Sequence, residues 1–347
     1  MKTILILCSM LLVSLSLSAQ TSKKEFQKSY DSKELKEIVI TNRYGQIEVE
    51  QTAGGPVEVD ITMAVTARSS AKADEILSYI SINDVGSGSF LNIEADYGKN
   101  MTLDQMFSGV NINVGCKLRI PAGLKLRLIH SEGNVFVDNF SGDLTVDLKT
   151  GNFQAGTLKA GEFYIKQDGG SLIISSVEQL NGELKSCDLK IEEAQEVKLH
   201  ATGCTGTLAS VDDLTITSQG GRLQLGQIER MSGTSQMTKY EIQDIGDELS
   251  MDLKMGEINV RNIHFNFSKV DLTASMTKVG LTFMQDAGYD IELRHNKNLK
   301  MDLPRGMKLK SEPAGEKNVE LKTGFVGNSQ YDGKVYLDIR SGNLFIQ

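Results

Sequence analysis

Hydrophobic and polar residues alternate in short segments along most of the chain, and between residues 170 and 247 the segments recur every seventeen residues. Two positions of this repeat are apolar in all five copies. They are Ile174, Ile191, Leu208, Leu225 and Ile242 and, three residues later in each copy, Val177, Ala194, Val211, Ile228 and Ile245. Repeats this short cannot bury a hydrophobic face alone, so they must stack. The pattern predicts coils of β-strand that pair in parallel with their neighbours.

The same spacing continues less strictly on both sides of this block. Gly133, Gly151 and Gly170 follow one another at steps of eighteen and nineteen residues, and Gly256 continues the series. We therefore predict an all-β protein in which residues 121–300 form a single-stranded parallel β-helix, or β-solenoid, with about 17–19 residues per coil. The alternative is an ordinary β-sandwich with chance spacing, and two positions that stay apolar through five copies argue against it.

The two ends of the chain differ from the repeats. Residues 20–120 are predicted to be a β-rich N-terminal segment, because segments 37–51 and 56–68 alternate over longer stretches, as half-buried antiparallel strands do. Residues 301–347 alternate again near their end. Since the ends of a solenoid expose unpaired strand edges, we expect the N-terminal segment and this C-terminal β segment to act as caps that close it.

One short helix is predicted within the N-terminal segment. Ser70 is a suitable N-cap, and the residues after it place apolar side chains at helical spacing. This apolar stripe is Ala73, Ile76, Leu77 and Ile80.

Residues 1–19 have the pattern of a signal peptide. Lys2 supplies the positive charge, residues 4–17 are apolar, and small residues precede a cleavage site after Ala19. The apolar run is shorter than the ~20 residues that span a bilayer, and Cys8 lies inside it, away from the cleavage site, which disfavours a lipid anchor. No later stretch is apolar enough to cross a membrane. We expect export to the periplasm or the cell surface.

Charge and composition narrow the class of partner. Without Lys2, the 37 basic residues become 36 against 45 acidic ones, a formal charge of −9. An acidic chain lacks the electrostatic footprint that nucleic acid or an anionic membrane surface requires. The 33 glycines, 4 prolines and absence of tryptophan fit a turn-rich β protein.

Several segments together resemble the bacterial putative-adhesin β-strand-repeat family, an exported family of unknown function. The resemblance rests on Tyr44-Gly45 with Ile47 and Val49, on KLRIPAGLKLRLIHSEGNVFV, on the glycine-led repeats and on the closing VYLDIRSGNLFI. It spans nearly the whole mature chain and implies a β-helix of the cell envelope. The positions it carries over are structural and form no site: Gly45, Pro121, Gly133 and Gly342.

Charged residues follow the second apolar position of each repeat. We call this column, which runs from Glu178 to Asp247, the acidic ridge. Stacked coils would place these residues ~5 Å apart, where like charges repel unless a cation or an opposite charge lies between them. A calcium ion is one candidate, since hard cations bind clustered oxygens. Its ligands would be Glu196, Asp212, Asp213 and Asp247. The alternative is a solvated ridge neutralised by Arg230, and the calcium-binding Gly-Gly-x-Gly-x-Asp repeat is absent.

Three cysteines remain after cleavage. Cys116 alternates with apolar residues and is predicted to be a buried thiol. Cys187 and Cys204 hold the same position in successive repeats, so their Cα atoms would lie ~4.8 Å apart, within disulfide range. Side chains stacked on parallel strands point the same way, which strains such a bond. The disulfide and the free pair are both open, and neither arrangement suggests redox catalysis because no Cys-x-x-Cys motif is present.

No catalytic or cofactor-binding residues are predicted, and no cofactor. The sequence has no Gly-x-Ser-x-Gly, phosphate-loop or nucleotide motif. No two of the four histidines have the sequence spacing of metal ligands. They are His130, His200, His264 and His295, and alternation points His200 outward. By the same alternation, Phe265 and Phe267 belong to the core.

We therefore expect a non-enzymatic cell-envelope protein, adhesin-like or scaffolding, with a protein or glycan partner at the envelope. A periplasmic module that binds a partner in an envelope-stress or signalling system is the first alternative. A carbohydrate-active β-helix enzyme is the second. Such enzymes line a groove with aromatic and acidic residues, and aromatic residues make up only 6% of this chain.

Overall fold

The computed structural model describes residues 19–98 and 109–347, and residues 1–18 of the predicted signal peptide lie outside them. The N-terminal strands are β1 (Gln20–Tyr30), β2 (Glu37–Asn42), β3 (Gly45–Thr52), β4 (Val57–Ala67), β5 (Ser81–Ser87), β6 (Phe90–Asp96) and β7 (Asn111–Pro121). The central strands are β8 (Lys125–Ser131), β9 (Gly133–Ser141), β10 (Leu144–Lys149), β11 (Phe153–Lys159), β12 (Phe163–Lys254), β13 (Glu257–Ile263), β14 (Lys269–Ser275) and β15 (Thr277–Phe283). The C-terminal strands are β16 (Gly288–Asn296), β17 (Lys300–Asp302), β18 (Lys310–Pro313), β19 (Val319–Gly327), β20 (Gly333–Ile339) and β21 (Gly342–Ile346).

These 21 strands belong to one sheet, and the described residues contain a single helix, α1 (Ser70–Ser78). The prediction of an all-β protein is therefore confirmed. Within the described part of the chain, no helix is long and apolar enough to cross a membrane.

Strands one repeat apart pair in parallel. Leu126 of β8 lies opposite Leu144 of β10, which in turn lies opposite Phe163 of β12. Within the long strand β12, side chains seventeen residues apart meet, as Arg230 and Asp213 do. Each neighbour in the stack therefore presents the same inward and outward positions, because in-register parallel pairing keeps the alternation of side chains.

The pairing of segment 37–51 differs from the prediction. Its strands β2 and β3 pair in parallel, with Ile38 opposite Leu126 and Ile47 opposite Val135. The expected antiparallel pairing of this segment is wrong, because alternation reports which face is buried and not the direction of the neighbouring strand. Strand β4 does pair antiparallel, with both β1 and β7.

Helix α1 begins one residue earlier than predicted. The hydroxyl of Ser69 accepts a hydrogen bond from the Lys72 amide at 3.3 Å, so Ser69, and not Ser70, is the N-cap. The predicted apolar stripe is confirmed, and the helix packs with it against β1 and β4.

At the C-terminal end, strands continue the parallel stack and then leave it. Strand β20 pairs in parallel with β14 and β16, and β21 pairs in parallel with β15 and β17. Strand β19 pairs antiparallel with both β16 and β18. The end of the chain is therefore joined to strands on both sides.

Buried polar side chains gather inside one corner, where the first strand of each repeat turns into the second, and we call this the polar corner. Its members are Asn42, His130, Gln167, Ser218, Ser235, Thr238, Thr277 and His295. The amide nitrogen of Gln167 donates to the backbone oxygens of Gly151, Gly169 and Ser171 at 3.0–3.1 Å. The hydroxyl of Ser218 instead bonds to the hydroxyls of Ser235 and Thr238. Side chains of this corner thus bond either to the turning backbone or to one another.

The backbone at this corner is left-handed in one repeat after another, and we call these residues the left-handed column. They are Glu132, Thr150, Gly169, Ser186, Gly203, Gly220, Met237, Met255 and Met276, with φ between +51° and +82°. Non-glycine residues adopt this conformation at an energetic cost. The corner therefore imposes one backbone geometry on residues of very different kinds.

Candidate functional site

The acidic ridge brings two of its predicted residues into direct contact. Arg230 donates two hydrogen bonds to Asp213, from Nε to Oδ1 at 2.6 Å and from Nη2 to Oδ2 at 2.8 Å. These hydrogen bonds lower the pKa of Asp213 and raise the pKa of Arg230. Both side chains are about half exposed, so water screens much of the attraction between them.

The other candidate calcium ligands have separate surroundings. Glu196 forms an ion pair with Lys198, and Asp247 accepts a hydrogen bond from the amide of Ser268 at 3.2 Å. Asp212 lines an open pocket of about 350 Å³. Among the described residues, no group of three or more His, Cys, Asp or Glu side chains is placed to hold a metal ion. The calcium site stays a prediction.

We expect EDTA to leave the melting temperature of the protein unchanged, because Arg230 occupies both carboxylate oxygens of Asp213. In Arg230→Gln, Asp213 and the adjacent Asp212 lose that counter-charge, and millimolar calcium should raise the melting temperature. Circular dichroism melts with EDTA or calcium measure both effects, and Arg222→Gln is the control for loss of one exposed arginine. A lower melting temperature of the unmodified protein in EDTA would contradict the expectation and support a calcium ion on the ridge.

The three described cysteines are all buried. This confirms burial of Cys116, and burial raises its pKa to about 12. Cys187 and Cys204 lie on the inner side of the corner, and each thiol donates to backbone carbonyls; the Sγ of Cys187 is 3.2 Å from the oxygen of Lys185. The hydrogen bond with Cys204, together with burial, raises the pKa of Cys187. The disulfide between these two cysteines stays a prediction.

A shallow groove runs across successive repeats on the face that precedes the left-handed column, and we call it the polar groove. It has a volume of about 400 Å³. Its exposed floor includes His200, Thr217, Gln219, Thr234 and Gln236. The threonines and the glutamines each repeat at seventeen residues, so equivalent groups recur at the strand spacing of about 4.8 Å.

His200 connects this groove with a second one. It is exposed, as alternation predicted, and it also borders a pocket of about 480 Å³ lined by the charged residues Lys166, Asp168, Glu183 and Lys185. The polar groove is lined mainly by hydroxyl and amide groups, with Asp252 and Lys254 as its charged residues, whereas charged residues predominate in the second pocket. Such a surface can donate and accept hydrogen bonds along several repeats.

The polar groove was not predicted from the sequence. The recurrence of Thr217 and Thr234, with Gln219 and Gln236 two residues later, was visible at the seventeen-residue step. Apart from this recurrence, no motif distinguishes these residues from other exposed polar positions of the repeats.

One aromatic side chain lies on the surface, where the sequence placed it in the core. Phe267 is buried as expected, but Phe265 is 39% exposed, with its ring centroid 5.3 Å from that of Tyr331. The prediction for Phe265 is wrong because strand β13 ends at Ile263 and the chain turns, with the amide of Phe267 donating to the oxygen of His264. Alternation holds only while the strand continues.

Comparison with known proteins identifies no family: no family model matches the chain, and no curated protein matches it. Solved structures with low similarity exist. A "putative cell adhesion protein" from Clostridium sporogenes is 11% identical over 94% of this chain and 100% of that chain, with a TM-score of 0.22. A "putative lipid binding protein" from Parabacteroides distasonis is 12% identical over 75% and 93%, with a TM-score of 0.34. A "putative adhesin" from Bacteroides fragilis is 15% identical over 76% and 97%, with a TM-score of 0.38. At these TM-scores the likeness assigns neither a ligand nor an activity to this chain.

Proposed function

We propose that this chain is an exported, non-enzymatic protein of the cell envelope that binds an extended partner, in the manner of an adhesin or a scaffold. The observation that carries the proposal is the polar groove, in which Thr217 and Thr234, and Gln219 and Gln236, repeat across neighbouring strands. Repeated groups at one spacing suit a polymer that offers hydroxyl or amide groups at regular intervals. A glycan strand or an extended polypeptide has that chemistry.

We also infer that residues 121–300 form a single-stranded parallel β-helix, which residues 20–120 and 301–347 close at its two ends. The parallel offsets of 18 and 19 residues at Leu144 support this inference, as does the regular return of the left-handed column. A stiff stack would hold the groove in its binding shape before the partner arrives, so the protein would lose little conformational entropy on binding.

The side chains of the groove suit binding better than catalysis. Threonine has few rotamers, and its short side chain loses little entropy when a partner covers it. The groove brings together His200 and several hydroxyl groups, and all of the side chains on its floor that could act on a substrate are open to water. Each contact on such an open, solvated surface is weak, and affinity comes from many equivalent contacts made at once across neighbouring strands.

The proposal predicts that protease added to intact cells removes the protein, because an adhesin is displayed on the outer surface. An antibody against residues 20–347 measures what remains, with a known surface protein and a known periplasmic protein as controls. Protection of the chain until the cells are lysed would contradict surface display and favour the periplasmic partner-binding module.

In the same strain, Thr217→Arg with Thr234→Arg fills the polar groove with charge. A matched control places two arginines one repeat apart on the second strand of the repeats, at the exposed positions Thr207 and Gln224. Both variants should be digested like the unmodified protein. Attachment of cells to a panel of immobilised polysaccharides and matrix proteins should fall at least tenfold for the groove variant alone. Equal attachment by both variants would mean that the groove is not the binding surface.

A further inference from the structure

Three methionines of the left-handed column lie on the surface one repeat apart. Met237, Met255 and Met276 are 49%, 40% and 61% exposed. Methionine is an apolar side chain that protein interiors normally bury. Met231 and Met251, in the same part of the chain, follow that rule with 1% and 3% exposure. The surface methionines are therefore a departure that repeats three times at equivalent positions.

The strand register makes these three residues direct neighbours. Lys239 lies opposite Glu257, which places Met237 next to Met255, two residues before them. Glu257 in turn lies opposite Lys278, and this register places Met255 next to Met276. Neighbouring coils of parallel strands are about 4.8 Å apart, so Met255 stands between two other thioethers at that spacing.

The backbone gives no reason for methionine at these positions. The φ angles of Met237, Met255 and Met276 are +56°, +52° and +51°, a conformation that costs energy for any side chain with a Cβ. Earlier repeats fill equivalent positions of the column with small or polar residues and with glycine, none of them methionine: Glu132, Thr150, Gly169, Ser186, Gly203 and Gly220. Three strained methionines in succession, exposed to water, indicate that the thioether itself has a use.

Thioether sulfur is a soft, neutral ligand. It binds soft monovalent ions such as Cu(I) and has little affinity for Ca²⁺ or Mg²⁺, which bind oxygen. The nearest charged groups largely compensate one another, since Glu257 forms ion pairs with both Lys239 and Lys278. Lys254, the residue directly before Met255, is a further positive charge close to the three methionines. A monovalent ion suffers less repulsion there than a divalent ion would.

We propose that Met237, Met255 and Met276 form a surface binding site for one Cu(I) ion, with the three thioether sulfurs as ligands. The flexible, unbranched side chains let sulfurs from three coils turn toward a common ion. The site adjoins the polar groove, which Gln236 and Lys254 line, but it uses none of the groove's side chains and does not depend on the adhesin-like function.

The experiment uses the full-length protein labelled with ¹³C at the methionine ε-methyl groups and titrated with Ag(I), a monovalent probe that needs no reductant. Signals of Met237, Met255 and Met276 should shift together and saturate at one ion per chain. Those of the buried Met231 and Met251 are internal controls and should not move. Cu(I), kept reduced without oxygen and competed against a chromogenic Cu(I) chelator, should shift the same three signals.

Leucine variants separate sulfur ligation from a merely apolar surface, because leucine keeps the size and the hydrophobicity but lacks the sulfur. Met255→Leu should weaken Ag(I) and Cu(I) binding at least tenfold, and more than Met237→Leu or Met276→Leu, because it leaves sulfurs two coils apart. The triple variant should not bind at this surface. A shift at fewer than three methyl groups, or unchanged affinity in the triple variant, would overturn the proposal.

Discussion

Replacing Gly170 with alanine is expected to destabilise the protein by about 3 kcal/mol, the combined order of a steric overlap in a packed region and a strained backbone. A Cβ atom built on Gly170 would lie 1.8 Å from the backbone oxygen of Gly151 in the preceding repeat. Backbone cannot move aside as a side chain can, so the two neighbouring repeats would have to separate at the polar corner. The φ angle of +84° adds the cost of a left-handed residue.

The adjacent glycine is a matched control. Gly169 has nearly the same φ, +82°, but a Cβ atom there would meet nothing within 4 Å. Gly169→Ala should therefore lose only the conformational part, about 1 kcal/mol. Urea unfolding followed by circular dichroism measures both variants against the unmodified protein. Equal losses for Gly169→Ala and Gly170→Ala would show that contact between the repeats at this corner is looser than the structure describes.

Replacing Gln167 with methionine is expected to cost about 2 kcal/mol, within the range for a buried polar group that loses its partner. Gln167 is 1% exposed, and its amide nitrogen serves three backbone oxygens, those of Gly151, Gly169 and Ser171. Methionine has a similar volume but no donor. The three backbone oxygens would stay buried and would lose the donor that Gln167 supplies.

Leu148 provides the control for packing at this position, because it lies directly opposite Gln167 in the preceding repeat and is fully buried. Leu148→Met changes shape at constant polarity and should cost less than about 1.5 kcal/mol. Urea unfolding again gives the two free energies. If Gln167→Met were no more costly than Leu148→Met, the hydrogen bonds of Gln167 would contribute nothing net to folding.

The apolar columns were predictable because the same positions are buried in each seventeen-residue repeat. Ile174 and Ile191 hold equivalent positions seventeen residues apart, and the structure buries both completely. Strand direction was not predictable for segment 37–51, since parallel and antiparallel neighbours bury the same alternate residues. The surface position of Phe265 depends on a turn after Ile263 that lacks a glycine or proline to announce it.

The candidate site was predictable only in part. The sequence placed Asp213 and Arg230 in one column of the acidic ridge, and the structure joins them by two hydrogen bonds. It did not reveal the polar corner, because Gln167 occupies an inward position that its neighbour Leu148 fills with an apolar side chain. The reason for a buried amide opposite a leucine is the set of backbone carbonyl oxygens that it bonds, and these are known only from the structure. The left-handed column likewise depends on backbone angles that no residue pattern reports.

The constant register of the repeats has a consequence for how such a chain can change over generations. Each repeat of β12 meets its neighbours through equivalent positions seventeen residues apart, as Thr205 meets Asp188 and Arg230 meets Asp213. A gene segment of fifty-one nucleotides, seventeen codons, could be duplicated or lost here without moving any inward residue outward. Stability in such arrays is close to a sum of contributions from neighbouring repeats. The number of repeats can therefore vary among descendants while the fold persists, and the length of the polar groove would vary with it.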